Sequence, residues 1–171
     1  MWQQAGGAYG YDCGLAAAEL AALCNALGAL ERARTLLALS AASIAQARGS
    51  SHPHALVARA NLGVVDLNAA ADSAALETLD GLRAAFVERF GSAEKPAVQA
   101  LDFHRARALR LSGATDSAKS ILASISPVAL AQGLCRTSDP AAWLSQEWRS
   151  LANADEGVGR TVAPLLAMSW V

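Results

Sequence analysis

Apolar positions run through the chain in long stretches rich in alanine and leucine, broken at regular intervals by a single glycine or proline. The first stretch, CGLAAAELAALCNAL, ends at Gly28 and is followed by LERARTLLALSAASIAQA. Alanine and leucine are strong helix formers, so each stretch predicts a helix and the glycine between them predicts a turn joining two antiparallel helices. In the second pair, Pro53 stands at a first helical turn, where its missing N–H costs nothing. Ser50 or Ser51 is the expected cap there. The partner helix begins near Asp72 and runs SAALETLDGLRAAFVERF, with Gly81 weakening it by about 1 kcal/mol relative to alanine. The third pair is KPAVQALDFHRARALRLSG, a turn at Gly113, and TDSAKSILASI, ended by Pro127.

These pairs are copies of one unit. Gly7, Gly49 and Gly91 are each 42 residues apart, and Gly28, Ala70 and Gly113 follow at intervals of 42 and 43. Ala33, Ala75 and Ala118 keep those intervals, each with a leucine one helical turn on: Leu37, Leu79 and Leu122. A further small residue precedes each of these alanines by 12 positions: Ala21, Gly63 and Ala106. Small residues at a fixed separation suit two helices packed face to face, and Ala75 is expected to lie against Gly63. A period of this length is the signature of a helical-repeat array. Beyond Pro127, Asp139 and Pro140 open a further helix that carries Trp143, Leu144, Trp148 and Leu151 on one face. It is expected to cap the open end of the stack. The final GRTVAPLLAMSWV has no charge after Arg160, so it is expected to fold back on the last helices or to engage a partner.

The residues Leu62-Gly63 with Ala75 12 positions on, GALERA at 28–33, GATDSA at 113–118 and the connector GSSHP resemble tetratricopeptide repeats. The 42-residue period and the Gly-x-x-His-Pro connector are similar to the longer variety found in kinesin light chains and in bacterial regulatory kinases and nucleotide-binding signalling proteins. The resemblance spans about residues 7–126. Two positions depart from it: Asp66 stands where the family usually has an aromatic, and Arg105 replaces the usual leucine. It implies an all-α, right-handed α-α superhelix of three helical hairpins in a single domain, 1–171. The repeats occupy 7–48, 49–90 and 91–126, followed by a capping helix over 139–153 and an apolar tail over 158–171.

It also implies a groove lined by the first helix of each unit, which places Asn25, Ala60, Asn61, Val64, Asn68, Phe103, His104, Arg107 and Arg110 in a partner-binding site. An asparagine can both donate to and accept from a peptide backbone, and Val64 and Phe103 can bury an apolar anchor. Arg107 and Arg110 share a helix face with no acidic residue four positions away. The ligand expected is therefore an apolar peptide with an acidic end.

Composition narrows the remaining classes. The chain has 171 residues, 53% of them apolar and 17% charged, with a net charge of −1. Such a balance has no field to hold nucleic acid or an acidic membrane, and aromatic residues are too sparse for a base-stacking surface. No apolar run is long enough to span a membrane, and the N-terminus does not read as a secretory signal. Cys13, Cys24 and Cys135 lack metal-ligand spacing and are expected to be reduced thiols in a cytoplasmic protein, Cys24 as a small core residue. His52 and His54 could share a metal only on extended backbone, and no cysteine or carboxylate pair completes a shell. The repeat of this stretch at GSAEKPAVQA keeps the proline and loses both histidines, so the segment is read as a helix start.

His104 is read as groove-lining rather than as a base, and Glu147, Asp155 and Glu156 as ordinary helix-end charges. No nucleotide-binding or hydrolase motif occurs. The expectation is a protein–protein interaction module without catalytic residues, cofactor or metal, and with self-association through the tail as an added possibility. The alternatives are a regulatory array attached to a bacterial kinase, nucleotide-switch or transcription-regulator system, and a small all-helical enzyme with a dispersed site.

Overall fold

The computed structural model of the chain describes residues 8–134, 139–152, 163–166 and 168. Among them are eight helices: α1 Ala8–Ala26, α2 Leu30–Arg48, α3 Pro53–Asn68, α4 Asp72–Phe90, α5 Pro96–Leu111, α6 Thr115–Ala123, α7 Pro127–Gly133 and α8 Pro140–Ala152. The fold is all-α. Each helix from α1 to α6 packs on the next, and α5 also receives α7 while α8 closes over α5, α6 and α7. The short α7, which begins at Pro127, takes up residues that the sequence suggested only as a break after α6. No described helix is long and apolar enough to cross a membrane.

The three hairpin turns share one geometry. At the end of α1 the Ala29 amide bonds the Cys24 carbonyl at 2.8 Å and the Gly28 amide bonds the Asn25 carbonyl at 3.0 Å. The same pair closes α3, Ala71 to Asp66 at 2.9 Å and Ala70 to Leu67 at 3.3 Å, and α5, Ala114 to Leu109 at 2.8 Å and Gly113 to Arg110 at 3.0 Å. This is the Schellman arrangement, which requires a left-handed residue just past the helix. Gly28, Ala70 and Gly113 supply it, with φ of 74°, 70° and 87°. The series read from the sequence is thus a series of left-handed turns, and Ala70 bears a steric cost that the two glycines avoid.

Packing inside the second hairpin corrects one expectation. A methyl group added to Gly63 would meet Leu79 and Thr78 at 3.2 Å, so its neighbour across the hairpin is Leu79 rather than Ala75. Ala75 lies one turn nearer the connection, in a buried cluster with Leu67 and Ala108. The helices run antiparallel, so residues closer to the turn pair with residues closer to the turn. The start of α3 differs as well: His52, not Ser50 or Ser51, is the cap, its Nδ1 accepting from the His54 amide at 3.2 Å.

The two departures from the family pattern both carry salt bridges between neighbouring helices. Asp66 on α3 pairs with Arg34 on α2 at 2.9 Å. Arg105 on α5 reaches Asp80 on α4 and Asp102 on its own helix, both at 2.6 Å, while Arg83 on α4 meets Asp102 at 3.0 Å. Charged partners thus take positions where apolar contact would otherwise join the helices.

Two substitutions of opposite kind test the backbone argument. Ala70→Gly relieves a left-handed alanine and is expected to stabilise by about 0.5–1 kcal/mol, net of the greater freedom glycine has when unfolded. Gly81→Ala fills open space in mid-helix, with nothing within 4 Å of the added methyl, and should stabilise by about 1 kcal/mol. Thermal melts should rise by a few degrees for each. A lower melting temperature for Ala70→Gly would show that the turn is not strained.

Candidate functional site at the contact of α1, α3 and α5 with the tail

α1 and α3 present asparagines to the interior, and α5 adds Phe103, His104 and Arg107 beside them. Asn25, Asn61 and Asn68 are buried, and so are Ala60, Val64, Phe103, His104 and Arg107. Buried carboxamides need partners, and these find them on the main chain of residues 163–168. The Ala163 carbonyl accepts from Asn25 Nδ2 at 2.9 Å and from Asn68 Nδ2 at 3.0 Å, while the Ala163 amide donates to Asn68 Oδ1 at 2.9 Å. Asn61 repeats the two-way contact one step along, donating to the Leu166 carbonyl at 3.0 Å and accepting from its amide at 2.7 Å. His54 Nε2 then donates to the Met168 carbonyl at 3.1 Å, and its Nδ1 accepts from the Tyr11 hydroxyl at 2.6 Å.

The spacing explains why the segment is extended and runs antiparallel to α3. Asn68 and Asn61 are two helical turns apart, about 10 Å of helix rise, and three residues of extended chain cover about the same distance. Ala163 and Leu166 are three apart, so the two periods match. Leu166 also forms an isolated antiparallel bridge with Leu134 at the end of α7. The side chains of Ala163, Leu165 and Leu166 are buried in one apolar cluster with Ala60, Val64 and Phe103.

Asn68 is the hub. Its oxygen accepts from Ala163 and from Arg107 Nη1, the latter at 3.0 Å, and its nitrogen donates to Ala163 and to Asn25 Oδ1, the latter at 2.9 Å. All four hydrogen-bonding capacities of the carboxamide are used.

Arg107 and Arg110 do not form an unneutralised basic end, which corrects the sequence-based expectation. Glu147 on α8 takes both: Arg107 Nε lies 3.2 Å from Oε1, and Arg110 Nε donates to Oε2 at 2.7 Å. The side chains of Arg107 and Glu147 are each 2% exposed, so this is an ion cluster within the fold, and Glu147 is no ordinary helix-end charge. Asp155 and Glu156, read with it from the sequence, lie outside the described residues, as do Gly7 and Cys135. The acid sits 37 residues from Arg110 in the chain, beyond any local pattern. The clue available in the sequence was indirect: two arginines on one face, in a chain with few charges, need an acid from elsewhere.

His104 is fully buried beside the tail. Burial, reinforced by the Arg107 charge and partly offset by the Pro164 carbonyl, pushes its pKa down to about 3. The Pro164 carbonyl faces the ring without meeting hydrogen-bond geometry, and neither ring nitrogen finds a partner among the described residues. His54 is also held below its ordinary value by burial, against the Met168 carbonyl, and His52 is lowered mainly by burial with help from the His54, Arg89 and Arg48 charges. All three rings are therefore neutral at pH 7. Tyr11, His52 and His54 form a ring cluster, with centroids 5.4–5.8 Å apart, at the point where the tail passes His54. Among the described residues no group of three or more His, Cys, Asp or Glu could hold a metal ion. Cys13 is exposed, and Cys24 is half-buried at the core's edge rather than within it.

Every residue assigned to the groove from the sequence lies on α1, α3 or α5, and the tail meets most of them. Asn25, Asn61 and Asn68 bind its main chain, Ala60, Val64 and Phe103 share its apolar cluster, and His104 stands against Pro164. Arg107 acts through Asn68, and Arg110 is turned to Glu147. His54 was missed because its contact with Met168 exists only once the tail has returned along α3, and Tyr11 because it touches that site only through His54. Comparisons of the chain with protein-family models, with curated proteins and with solved structures gave no match.

Two measurements test this arrangement. Glu147→Ala leaves Arg107 charged and buried and should destabilise by about 3 kcal/mol in urea titrations. A change under about 0.5 kcal/mol would mean the ion cluster contributes little beyond an exposed pair. His104 binds its proton far more readily when unfolded, so its contribution is complete above about pH 6.5 and is lost as pH falls toward 3. The loss is about 1.4 kcal/mol per pH unit in that window. His104→Leu should flatten the dependence of stability on pH between 6.5 and 4.5 by about that slope, and an unchanged slope would mean the ring is not buried.

Proposed function

We propose that the protein is an interaction module of the tetratricopeptide type, a right-handed superhelical stack of three hairpins whose first helices take an extended peptide of another protein. The observation that supports this reading is the row of Asn25, Asn68 and Asn61, which satisfies the donor and the acceptor of an extended main chain at positions three residues apart. Carboxamides that read the backbone leave the side chains of the bound segment free to set specificity. The function is binding, and no catalytic role is assigned.

The acidic ligand end expected from Arg107 and Arg110 is not part of the proposal, because both guanidinium groups are turned to Glu147 within the fold. A second reading is a regulatory array beside a kinase, nucleotide-switch or transcription-regulator domain. It draws support from Leu20, Leu23 and Leu27, which α1 leaves exposed at the first hairpin, a surface another domain could cover.

The test is capture of a partner by the full-length Leu165→Asp/Leu166→Asp chain, whose own tail is disfavoured in the groove, repeated with Asn61→Ala and with Asn68→Ala added. Binding through the groove predicts loss of at least tenfold in affinity in both variants with helicity retained by circular dichroism. A partner held equally by both variants binds elsewhere, and the groove reading fails.

A further inference from the structure

We infer that the groove's ligand is an extended, uncharged peptide in which a small residue is followed by proline and two aliphatic residues, and that residues 163–168 are a built-in competitor for it. The inference rests on the proposed peptide-binding function and adds the chemistry of the ligand and the means of control.

The tail supplies the template. Ala163 is fully buried where Asn25 and Asn68 converge on its carbonyl, so a larger side chain has no room there. Position 164 is served by a proline, which has no amide to satisfy, and its carbonyl faces the neutral His104 ring. Leu165 and Leu166 enter the apolar cluster with Val64 and Phe103. Arg107 is buried against Asn68 and Glu147, Arg110 is turned to Glu147 and the histidines are neutral, so a charged ligand would lose hydration without reaching an available counter-charge.

The way the tail is held makes it replaceable. The amides and carbonyls of Ala163 and Leu166 are met by asparagine side chains, and Leu166 pairs with Leu134 in an isolated bridge rather than in a continuous ladder. Any extended chain presents the same backbone groups at the same spacing. A peptide with matching side chains therefore competes on equal chemical terms, opposed by the high effective concentration of a tail in the same molecule.

The probe is a fluorescent, end-blocked peptide of sequence Ala-Pro-Leu-Leu-Ala-Met, titrated against the intact chain and against the full-length Leu165→Asp/Leu166→Asp variant, whose tail is disfavoured in the groove. Fluorescence anisotropy should show binding to the variant at least tenfold tighter than to the intact chain, and Asn61→Ala in the variant background should abolish it. Equal affinity for both proteins would overturn the competitor role while leaving the groove intact as a peptide site. No binding to a variant that keeps its helicity would overturn the peptide-groove reading as well.

A variant that loses its helices would mark the tail as a fixed part of the fold and overturn the inference. An intact chain that runs as a dimer, and becomes monomeric in the variant, would place a second copy's tail in the groove and also overturn it. Hydrogen exchange on the intact chain gives an independent reading. The Ala163 and Leu166 amides should exchange at least a hundredfold faster than the slowest amides of α5, and exchange at the same rate would show that the tail leaves only when the whole protein unfolds.

Discussion

The carboxamide of Asn68 is the contact on which the rest of the interior depends. Its four hydrogen bonds join α1 through Asn25, α5 through Arg107 and the tail through Ala163, and Arg107 carries the connection on to Glu147 of α8. A buried polar group is costly until every donor and acceptor is met, so the network tolerates little displacement of any one member. The apolar cluster around it supplies the larger share of the driving force but is not directional. The carboxamide specifies which strand of chain lies in the groove and in what register.

Electrostatics follow the same economy. With 17% of its residues charged, the chain uses its ions mainly in pairs that join helices. Arg34 with Asp66 and Arg83 with Asp102 lie at half-exposed edges, where each contributes at most about 1 kcal/mol. Glu147 with Arg107 and Arg110 is different, because removal of the carboxylate would strand the buried Arg107 charge away from water. Neutral histidines complete a groove whose character is that of an uncharged, hydrogen-bonding slot.

The hairpin turns give this slot its shape. Three Schellman closures with left-handed residues set the same exit from α1, α3 and α5, and the asparagines of α1 and α3 meet the apolar residues and Arg107 of α5. At the other ends of the hairpins, Gly49 and Gly91 take φ of 93° and 99°, outside the range most residues reach, and return the chain for the next first helix. Asp66 and Arg105 each meet an opposite charge on a neighbouring helix, Arg34 and Asp80 respectively.

The features legible in the sequence were those generated by neighbouring residues. Helix content follows from alanine and leucine periodicity, and the series of Gly28, Ala70 and Gly113 marks turns because a left-handed residue is demanded locally. The asparagines were singled out only through the resemblance to a repeat family, because nothing in their local spacing distinguishes them from other polar helix positions. Contacts between distant segments were not legible: nothing near Arg110 points to Glu147, and nothing near Asn61 points to Leu166, 105 residues away. An uncharged tail signals only that it must be covered. Tertiary structure decided where, because the match between two turns of α3 and three residues of extended chain exists only when both lie together, and only there do the asparagines and the main chain satisfy one another.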